Sequence, residues 1–209
     1  MANQPLRIDA VPFPALATPA PIPAASYESL IARIAAGDKL AMRALFSRHQ
    51  VRVYRFVLRA VHDPELAEDL VSEVFLDVWR HAGQFAQRAA ASTWLLSIAR
   101  HKALSALRKR KDAPLDETTA GAIPDTCDDP EVAVARSEQG AILRDCLQRL
   151  SANHREIIDL AYYQGMRIEA VAEILGIPPN TVKTRMFHAR RQLASLLQAA
   201  GVERWGRAA

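Results

Sequence analysis

The sequence predicts an all-α protein of two small helical domains joined by a flexible acidic linker, with a helix-turn-helix in the C-terminal domain. Apolar residues recur every three or four positions along most of the 209-residue chain, and no segment alternates polar and apolar residues as a strand does. A proline-containing stretch then interrupts the helical pattern. The predicted divisions are an arm (1–25), an N-terminal domain (26–111), a linker (112–135), a C-terminal domain (136–200) and a tail (201–209).

Charge is arranged in blocks along the chain. Residues 100–111 carry six Lys or Arg and no acid, whereas residues 112–131 carry seven acids and no base. Blocks of one sign create local fields, so the first block is expected to bind an acidic partner such as nucleic acid. Half of the residues are hydrophobic, but no apolar run is long enough for a membrane span or a signal peptide. We therefore expect a cytoplasmic protein with packed cores and no membrane insertion.

The chain carries no pattern typical of a metal site or an enzyme. Cys127 and Cys146 are far apart, and neither belongs to a cluster of Cys and His. Reduced thiols are the interpretation that cytosolic conditions favour, with a redox pair as the alternative. No carboxylate pair, nucleophile with its base, or glycine-rich phosphate loop is recognisable. The sequence therefore predicts a protein with no catalytic residues, no metal and no cofactor.

The first elements each have a boundary signal. Residues 1–25 are rich in Ala and Pro and cannot bury enough surface to offset the entropy of ordering, so we expect a disordered arm. A first helical stripe stops at Gly37, and Asp38 is placed to cap the next helix. The chain breaks again at Pro64, which suits the first turn of a third helix because that turn needs no N–H from it.

The third helix, over residues 65–80, has an apolar face and an acidic face. With about 100° between successive residues, its apolar arc contains Leu70, Val71, Val74, Phe75 and Val78. Leu76 falls in the opposite arc, beside Asp69 and Glu73. An apolar side chain ringed by charge favours a protein partner over water. The alternative is an ordinary solvated helix, on which single exposed leucines are common.

A fourth helix is expected over residues 93–110, with Ser92 as its N-cap. Its basic residues form a stripe about two turns long, which is the arrangement that neutralises backbone phosphates. The outward residues of that stripe are His101, Lys102, Ser105, Arg108 and Lys109. Trp94 lies on the same side and either packs beneath a neighbouring helix, which we favour, or lies beside bases. Solvated lysines on a surface helix are the alternative for the stripe.

The C-terminal domain contains a helix-turn-helix that begins at Ile168. Gly176 occupies the turn, and Pro179 suits the first turn of the second helix. The buried stripe of that second helix consists of Val182, Met186, Ala189 and Leu193. The residues left outside are Lys183, Thr184, Phe187, His188 and Arg191. In the major groove an exposed Phe can touch a thymine methyl while Arg or Lys contacts guanine or phosphate.

Together these motifs resemble the small extracytoplasmic-function (ECF) group of bacterial RNA polymerase sigma factors. The resemblance covers roughly residues 27–198, with the acidic segment 67–79, the loop and helix 85–95 and the helix-turn-helix 150–193 in the family's order. It implies an alternative sigma factor that binds core RNA polymerase and directs promoter recognition and transcription initiation. The open alternative is a helix-turn-helix regulator that binds duplex DNA without being a polymerase subunit.

The resemblance also implies three sets of contact residues. Those expected to bind the clamp helices of the polymerase's largest subunit are Asp69, Glu73, Leu76, Asp77 and Arg80. Those expected at the melted -10 promoter element are Arg88, Ser92, Trp94, His101, Lys102, Ser105, Arg108 and Lys109. Those expected to read the -35 promoter element are Thr181, Lys183, Thr184, Arg185, Phe187, His188 and Arg191.

Three departures from the family pattern bear on these assignments. Ser151 stands where proline is usual, and Arg167 stands where a capping serine is usual. Arg167 is therefore expected to weaken the cap of the first helix of the helix-turn-helix. Three alanines, 89–91, occupy the -10 loop where relatives often carry polar or aromatic residues, which leaves the preferred base open.

Control of such a factor is expected to come from outside the chain. No segment resembles a sensor domain, so we predict a separate anti-sigma protein that covers the face carrying Asp69 and Leu76, the recognition helix, or both. The competing hypothesis is intramolecular closure, in which the acidic helix of the first domain meets the basic recognition helix of the second. For the acidic linker, mimicry of RNA in the polymerase's exit path and a plain solvated tether both remain open.

Overall fold

A computed structural model of the chain describes residues 24–85, 90–112 and 138–202, which form α-helices with no strand among them. The first lobe contains α1 (Ala24–Ala35), α2 (Lys39–Val61), α3 (Pro64–His81), a short 3-10 turn (Ala82–Gln84) and α4 (Ala91–Asp112). The second lobe contains α5 (Glu138–Gln148), α6 (Ala152–Ile158), a π-helical turn (Asp159–Tyr163), α7 (Ile168–Leu175) and α8 (Pro179–Ala199). The predicted all-α class is confirmed.

Some predictions concern residues outside the described ranges. These are the arm up to residue 23, the linker from residue 113, the tail from residue 203, Arg88 in the -10 loop, and Cys127. Among the described residues, no helix combines the length and the apolar character that crossing a membrane requires.

The starts of α2 and α3 follow the predicted boundary signals, a capping aspartate for α2 and a first-turn proline for α3. Asp38 accepts hydrogen bonds from the backbone amides of Leu40 and Ala41 at 2.8 and 3.1 Å, which satisfies two donors of the first turn. The hydrogen bond from Ala41 is the main reason why the pKa of Asp38 lies below its usual value. Asp63 caps α3 in the same way, and Pro64 occupies its first turn as predicted.

The predicted N-cap of α4 is wrong. Ser92 lies inside the helix, which begins one residue earlier at Ala91. The backbone carbonyl of Ala90 accepts hydrogen bonds from the amides of Thr93 and Trp94 at 2.9 and 3.1 Å. Because alanine has a higher helix propensity than serine, the alanine before Ser92 joins the helix and moves its start upstream.

The second lobe has the predicted helix-turn-helix. Gly176 ends α7 in the left-handed conformation, at φ 66°, and Pro179 opens α8. Arg167 makes no side-chain capping hydrogen bond at the start of α7, as its residue type predicts. Ser151, the other departure, does cap its helix by accepting a hydrogen bond from the amide of His154 at 3.4 Å.

The two lobes pack against each other, as in the closure considered from the sequence, but mainly through α4 and α7 rather than through α3 and the recognition helix α8. One cluster of buried apolar side chains begins between α2 and α3, at residues such as Val53 and Val74, and continues to Leu160 and Val171 in the second lobe. A smaller cluster lies between α5 and α8 and includes Cys146. The two lobes therefore share one continuous apolar core.

Candidate functional site

The outward face of α8 is the first candidate site. Val182, Ala189 and Leu193 are buried against the rest of the lobe, so the helix presents its opposite side to solvent. On that side Phe187 is 53% exposed, and its ring meets the ring of His188 edge-on at 5.5 Å between centroids. An aromatic side chain of this size costs free energy in water, so its exposure favours a partner surface.

The polar residues predicted on α8 surround Phe187. Lys183, Thr184, His188 and Arg191 are exposed, whereas Thr181 and Arg185 are half-buried at the flank. The hydroxyl of Thr184 donates to the backbone carbonyl of Asn180 at 3.0 Å. Its oxygen can therefore still accept a hydrogen bond from outside, and its methyl group can make apolar contacts. The face combines cations with apolar groups, as direct reading of DNA requires.

Helix α3 has the predicted buried apolar side and exposed charged side. The five residues assigned to its apolar arc are buried, with Val74 and Val78 wholly so, and Phe75 packs edge-on against Phe46 at 4.8 Å between centroids. Leu76 is 46% exposed, beside exposed Glu73. Asp69 and Arg80, also predicted there, are exposed as well, and Asp77 is half-buried. Leu76 is thus an exposed apolar side chain on a charged surface.

The docking face on α3 and the basic stripe on α4 meet through Lys102. Its ammonium lies 2.9 Å from Asp77 and 3.2 Å from Glu73. The hydrogen bond to Asp77, followed by that to Glu73, raises the pKa of Lys102, so the lysine stays charged. A residue predicted to bind DNA therefore partly neutralises two residues predicted to bind protein, which sequence periodicity could not reveal.

A groove of about 560 Å³ runs between α3 and α4. Its floor is apolar, with Leu66 and Leu70 from α3 and Ala106 from α4, and its rims are acidic on the α3 side and basic on the α4 side. At one end Arg110 reaches across to Asp63 at 3.2 Å. Opposite charges on adjacent rims hold the two helices in register, although such partly exposed pairs are individually weak.

The remaining residues of the predicted -10 set are distributed along α4. His101, Arg108 and Lys109 are exposed, whereas Ser105 is half-buried in the groove. Trp94 is half-buried with its ring 5.2 Å from that of Phe85, which agrees with packing beneath a neighbouring element. Ser92 is also half-buried at the start of the helix. The exposed cations therefore lie on the later turns of α4.

A set of polar residues that no sequence pattern predicted joins the two lobes. Arg52, Arg59 and Arg100 from the first lobe pair with Gln164, Asp159 and Glu156 from the second. A signal was present, because arginines on otherwise apolar stripes of α2 and α4 require partners when buried. Their partners, however, lie between 56 and 112 residues further along the chain, beyond the reach of any local pattern.

No metal centre is present in the described part of the chain, where no three His, Cys, Asp or Glu residues cluster in a way that would hold an ion. Cys146 is a buried thiol, and burial raises its pKa. A thiol that is buried and protonated reacts slowly, since the thiolate is the nucleophile.

Two family descriptions match the chain. "Sigma-70 region 2" matches residues 45–113, and "Sigma-70, region 4" matches residues 140–193. The first range contains the docking face and the basic stripe, and the second contains the outward face of α8 with most of the helices beneath it.

Similar curated proteins carry related names. The ECF RNA polymerase sigma factor SigL of Mycobacterium tuberculosis is 34% identical over 172 residues, spanning 81% of this chain and 96% of that protein. The ECF RNA polymerase sigma factor SigK of Mycobacterium sp. (strain JLS) is 33% identical over 182 residues, spanning 85% and 93%.

Solved structures with a similar fold include the sigma factor RpoE of Bartonella quintana, bound to the anti-sigma factor NepR, with a TM-score of 0.59 and 25% identity. That similarity covers 75% of this chain and 96% of the other. CnrH in complex with the cytosolic domain of CnrY has a TM-score of 0.61 at 23% identity, over 83% and 98%, and supports the fold alone.

Proposed function

The chain belongs to the ECF RNA polymerase sigma factors, and we propose from this that it is an alternative sigma factor, which binds core RNA polymerase and directs promoter recognition and transcription initiation. One observation carries the proposal: a region 2 lobe and a region 4 lobe occur in order, each with an outward face suited to a large partner. The proposed working units are the N-terminal domain (26–111), the linker (112–135) and the C-terminal domain (136–200).

We assign the -35 element to the outward face of α8. Phe187 supplies an apolar contact to a base, and Arg191 or His188 supplies hydrogen bonds to base edges in the major groove. Lys183, at the flank, binds backbone phosphate and sets the register of the helix. Half-buried Thr181 and Arg185 lie at the edge of this surface and contribute fewer atoms to it.

We assign the -10 element to α4 and the loop before it. The exposed cations Arg108 and Lys109 neutralise the phosphates of the melted strand, which makes binding dependent on salt, and exposed His101 offers a hydrogen bond beside them. Trp94 packs against Phe85, the residue that precedes the loop. Arg88 and Ser92 stay in the proposed set as residues of the loop and of the first helical turn.

We assign polymerase docking to the exposed side of α3. Leu76 provides an apolar anchor within a charged rim, an arrangement found at the centres of protein interfaces. A basic partner helix would compete with Lys102 for Glu73 and Asp77. Docking would then release Lys102 toward the promoter, so that polymerase binding and -10 binding assist each other.

We propose that an anti-sigma protein controls the chain. The support is that exposed Leu76 and Phe187 offer apolar anchors to a protein inhibitor, and that the sigma factor RpoE was solved with such an inhibitor bound. Such a protein would act by covering either face or both. The chain itself would catalyse no reaction, and it would work in the cytoplasm, where polymerase and promoter are.

Reconstituted transcription tests the function. The purified chain should enable core RNA polymerase to start transcripts at particular promoters of its source genome, whereas core polymerase alone should not. A chain that binds duplex DNA but never associates with core polymerase would support the regulator alternative and reject the proposal.

A further inference from the structure

Helix α2 has an outward face to which the proposed function assigns no role. Leu40 and Val51 on this face are 69% and 46% exposed, and Leu40 is the most exposed large apolar residue in the described part of the chain. Apolar side chains of this size cost free energy in water. Their recurrence on one side of one helix therefore favours a partner surface there.

The outward residues of α2 form a regular seam. With about 100° between successive residues, six of them fall within an arc of about 80°, and the intervals between them alternate between four and three residues. Residues with this spacing meet when two helices pack side by side, because it keeps one line of side chains facing the neighbour. The six residues, called here the α2 seam, are Leu40, Ala44, Ser47, Val51, Tyr54 and Leu58.

The α2 seam is turned away from the rest of the protein. The buried residues of α2, such as Leu45, Val53 and Phe56, lie on the opposite side of the helix. Arg52 and Arg59, which contact the second lobe, lie about 100° or more from the centre of the seam. The helix therefore has one apolar side in the core and a second apolar line that faces solvent.

The shape of the α2 seam suits a neighbouring helix. Leu40 and Val51 are large and exposed, whereas Ala44 and Ser47 between them are small. Small residues leave hollows for the large side chains of a partner, and large residues enter the hollows that the partner leaves. From Leu40 to Leu58 the seam is about 27 Å long, which corresponds to a partner helix of about 18 residues.

The charge beside the α2 seam indicates an acidic partner. Helix α2 carries six Lys or Arg and no acid. Arg43 borders one edge of the seam and Arg48 borders the other, and both are exposed without an ion pair among the described residues. At such edges opposite charges select a partner helix and like charges reject it. A second copy of α2 would place arginine against arginine, so a helix with acidic edges is favoured instead.

The chain's own acidic segment is too interrupted to be that helix. Residues 112–131 carry seven acids, but Pro114, Pro124 and Pro130 leave no proline-free run longer than nine residues within it. Proline inside a helix removes a hydrogen bond and clashes with the preceding turn. The α3 docking face also calls for a different partner, because its acidic residues favour a basic one.

We propose that the α2 seam binds an amphipathic helix of a partner protein, with apolar residues at the same alternating spacing and with Asp or Glu along both edges. The proposal goes beyond the sigma function, since it uses neither the α3 docking face nor the faces assigned to promoter DNA. Such a helix would hold a further protein on the chain while those faces remain available.

Two designed peptides test the proposal. Each is a helix of about 21 residues with Ile and Leu at the seam positions, and its edge positions are all Glu in one peptide and all Lys in the other. Fluorescence anisotropy would measure their binding to the full chain. The Glu peptide should bind at least about tenfold more tightly than the Lys peptide, and its affinity should fall as salt is added. Equal binding of the two peptides, or binding of neither, would overturn the proposal.

Substitutions locate the binding on the α2 seam. Leu40→Asp should weaken the Glu peptide by at least about tenfold, because it places a charge in the apolar line. Leu104→Asp is the matched control, since Leu104 is also exposed, at 40%, but lies on α4, and it should keep full peptide binding. Circular dichroism would confirm that both variants are folded. Equal losses from the two variants would show that the peptide binds elsewhere.

Charge reversal gives a gain that unfolding cannot imitate. Arg43→Glu with Arg48→Glu should make the chain prefer the Lys peptide, because the edges of the seam are then acidic. Arg149→Glu with Arg167→Glu changes the net charge equally at exposed positions of the second lobe, and it should keep the preference for the Glu peptide. A preference that follows net charge alone in both variants would contradict the proposal.

Two other occupants would give different results. Sedimentation equilibrium should find the chain monomeric at about 100 μM, and a dimer that Leu40→Asp disrupts would identify a second copy as the partner. DNA binding that Arg43→Glu with Arg48→Glu abolishes, but that Leu40→Asp leaves intact, would assign the face to phosphates. Either result would overturn the proposal of an acidic helix.

Discussion

The two helices assigned to DNA differ in what their polar side chains do in the free chain. On α8, Lys183 and Arg191 are exposed and take part in no ion pair among the described residues. On α4, Lys102 is held by two acidic residues of α3, and Arg100 is held by Glu156 of the other lobe. Periodicity finds the outward face in both cases, but only packing shows whether that face is free or already engaged. One lobe is therefore ready to bind, whereas the other must exchange partners first.

The largest effect is expected at Leu76, which takes no part in the exchange at Lys102. Leu76→Arg should weaken core-polymerase binding by about 2 to 4 kcal/mol, the range of an anchor residue at an interface centre. No core volume is lost, because the side chain is 46% exposed. Val51→Arg is the matched control, since Val51 is equally exposed at 46% but lies on α2 outside the faces assigned to polymerase and promoter. Equal losses from both variants, measured by titration of labelled chain with core polymerase, would contradict the docking role.

On the free face of α8, residues that recognise bases should differ in effect from residues that bind phosphate. Phe187→Ala should relax preference at particular base pairs of the -35 element by about 1 to 3 kcal/mol. Lys183→Ala should weaken all sequences alike and reduce the slope of log affinity against log salt by about 1. Binding of both variants to a panel of duplexes at several salt concentrations measures the two effects. If Phe187→Ala kept every preference of the wild type, the assignment would be wrong.

The first lobe should also be the acid-sensitive one, because it buries a histidine. His49 is 4% exposed beside Tyr27, and burial, aided by Arg52 and Arg48, lowers its pKa from 6.5 to about 4. Below pH 6.5 the imidazole of His49 takes up a proton in the unfolded chain, whereas in the folded chain it stays neutral until the pH nears 4. Stability is therefore full above 6.5 and is lost as the pH falls toward 4, by about 2 kcal/mol at pH 5.

Urea unfolding at about pH 7.5 and about pH 5 measures the free energy of unfolding at each pH. A variant without the imidazole separates the effect of His49 from that of other titrating groups. The wild type should lose about 2 kcal/mol more than His49→Gln, which keeps a polar side chain but does not titrate. Identical losses in the two chains would show that His49 is accessible to protons when folded.

The smallest effect concerns the exchange at Lys102. Lys102→Ala should weaken binding to the melted -10 strand and slightly strengthen polymerase docking, because Glu73 and Asp77 lose an internal competitor. Each change should be within about 1 kcal/mol, since the pairs are partly exposed. Lys109→Ala, an exposed cation on the same helix, should weaken DNA binding alone. Loss of polymerase affinity in Lys102→Ala would refute the exchange.

Local signals in the sequence predicted the features that are local in the structure. Asp38, Pro64, Pro179 and Gly176 act within a few residues of themselves, and each ends or starts its helix as expected. The prediction that Ser92 caps α4 was wrong, because Ala91 and Ser92 could both begin the helix and alanine is the stronger helix former. The outward positions of Leu76 and Phe187 followed from the helical period alone.

Features that depend on distant residues could not be predicted in this way. Whether Arg59 is a surface cation or one half of a buried pair depends on Asp159, which lies in the second lobe, far along the chain from Arg59. The partners of Lys102 likewise depend on how closely α3 approaches α4. Pairing over such separations is decided by shape and desolvation, and a linear pattern contains neither.

As a subunit of polymerase, the chain is proposed to read two separated promoter elements with its two lobes. Transcription from a library of promoters randomised over both elements, with purified chain and core polymerase, tests it directly. Transcribed sequences should share two constrained blocks separated by an unconstrained spacer, and no transcript should appear without the chain. A single constrained block, selected equally well by the chain without polymerase, would contradict the account.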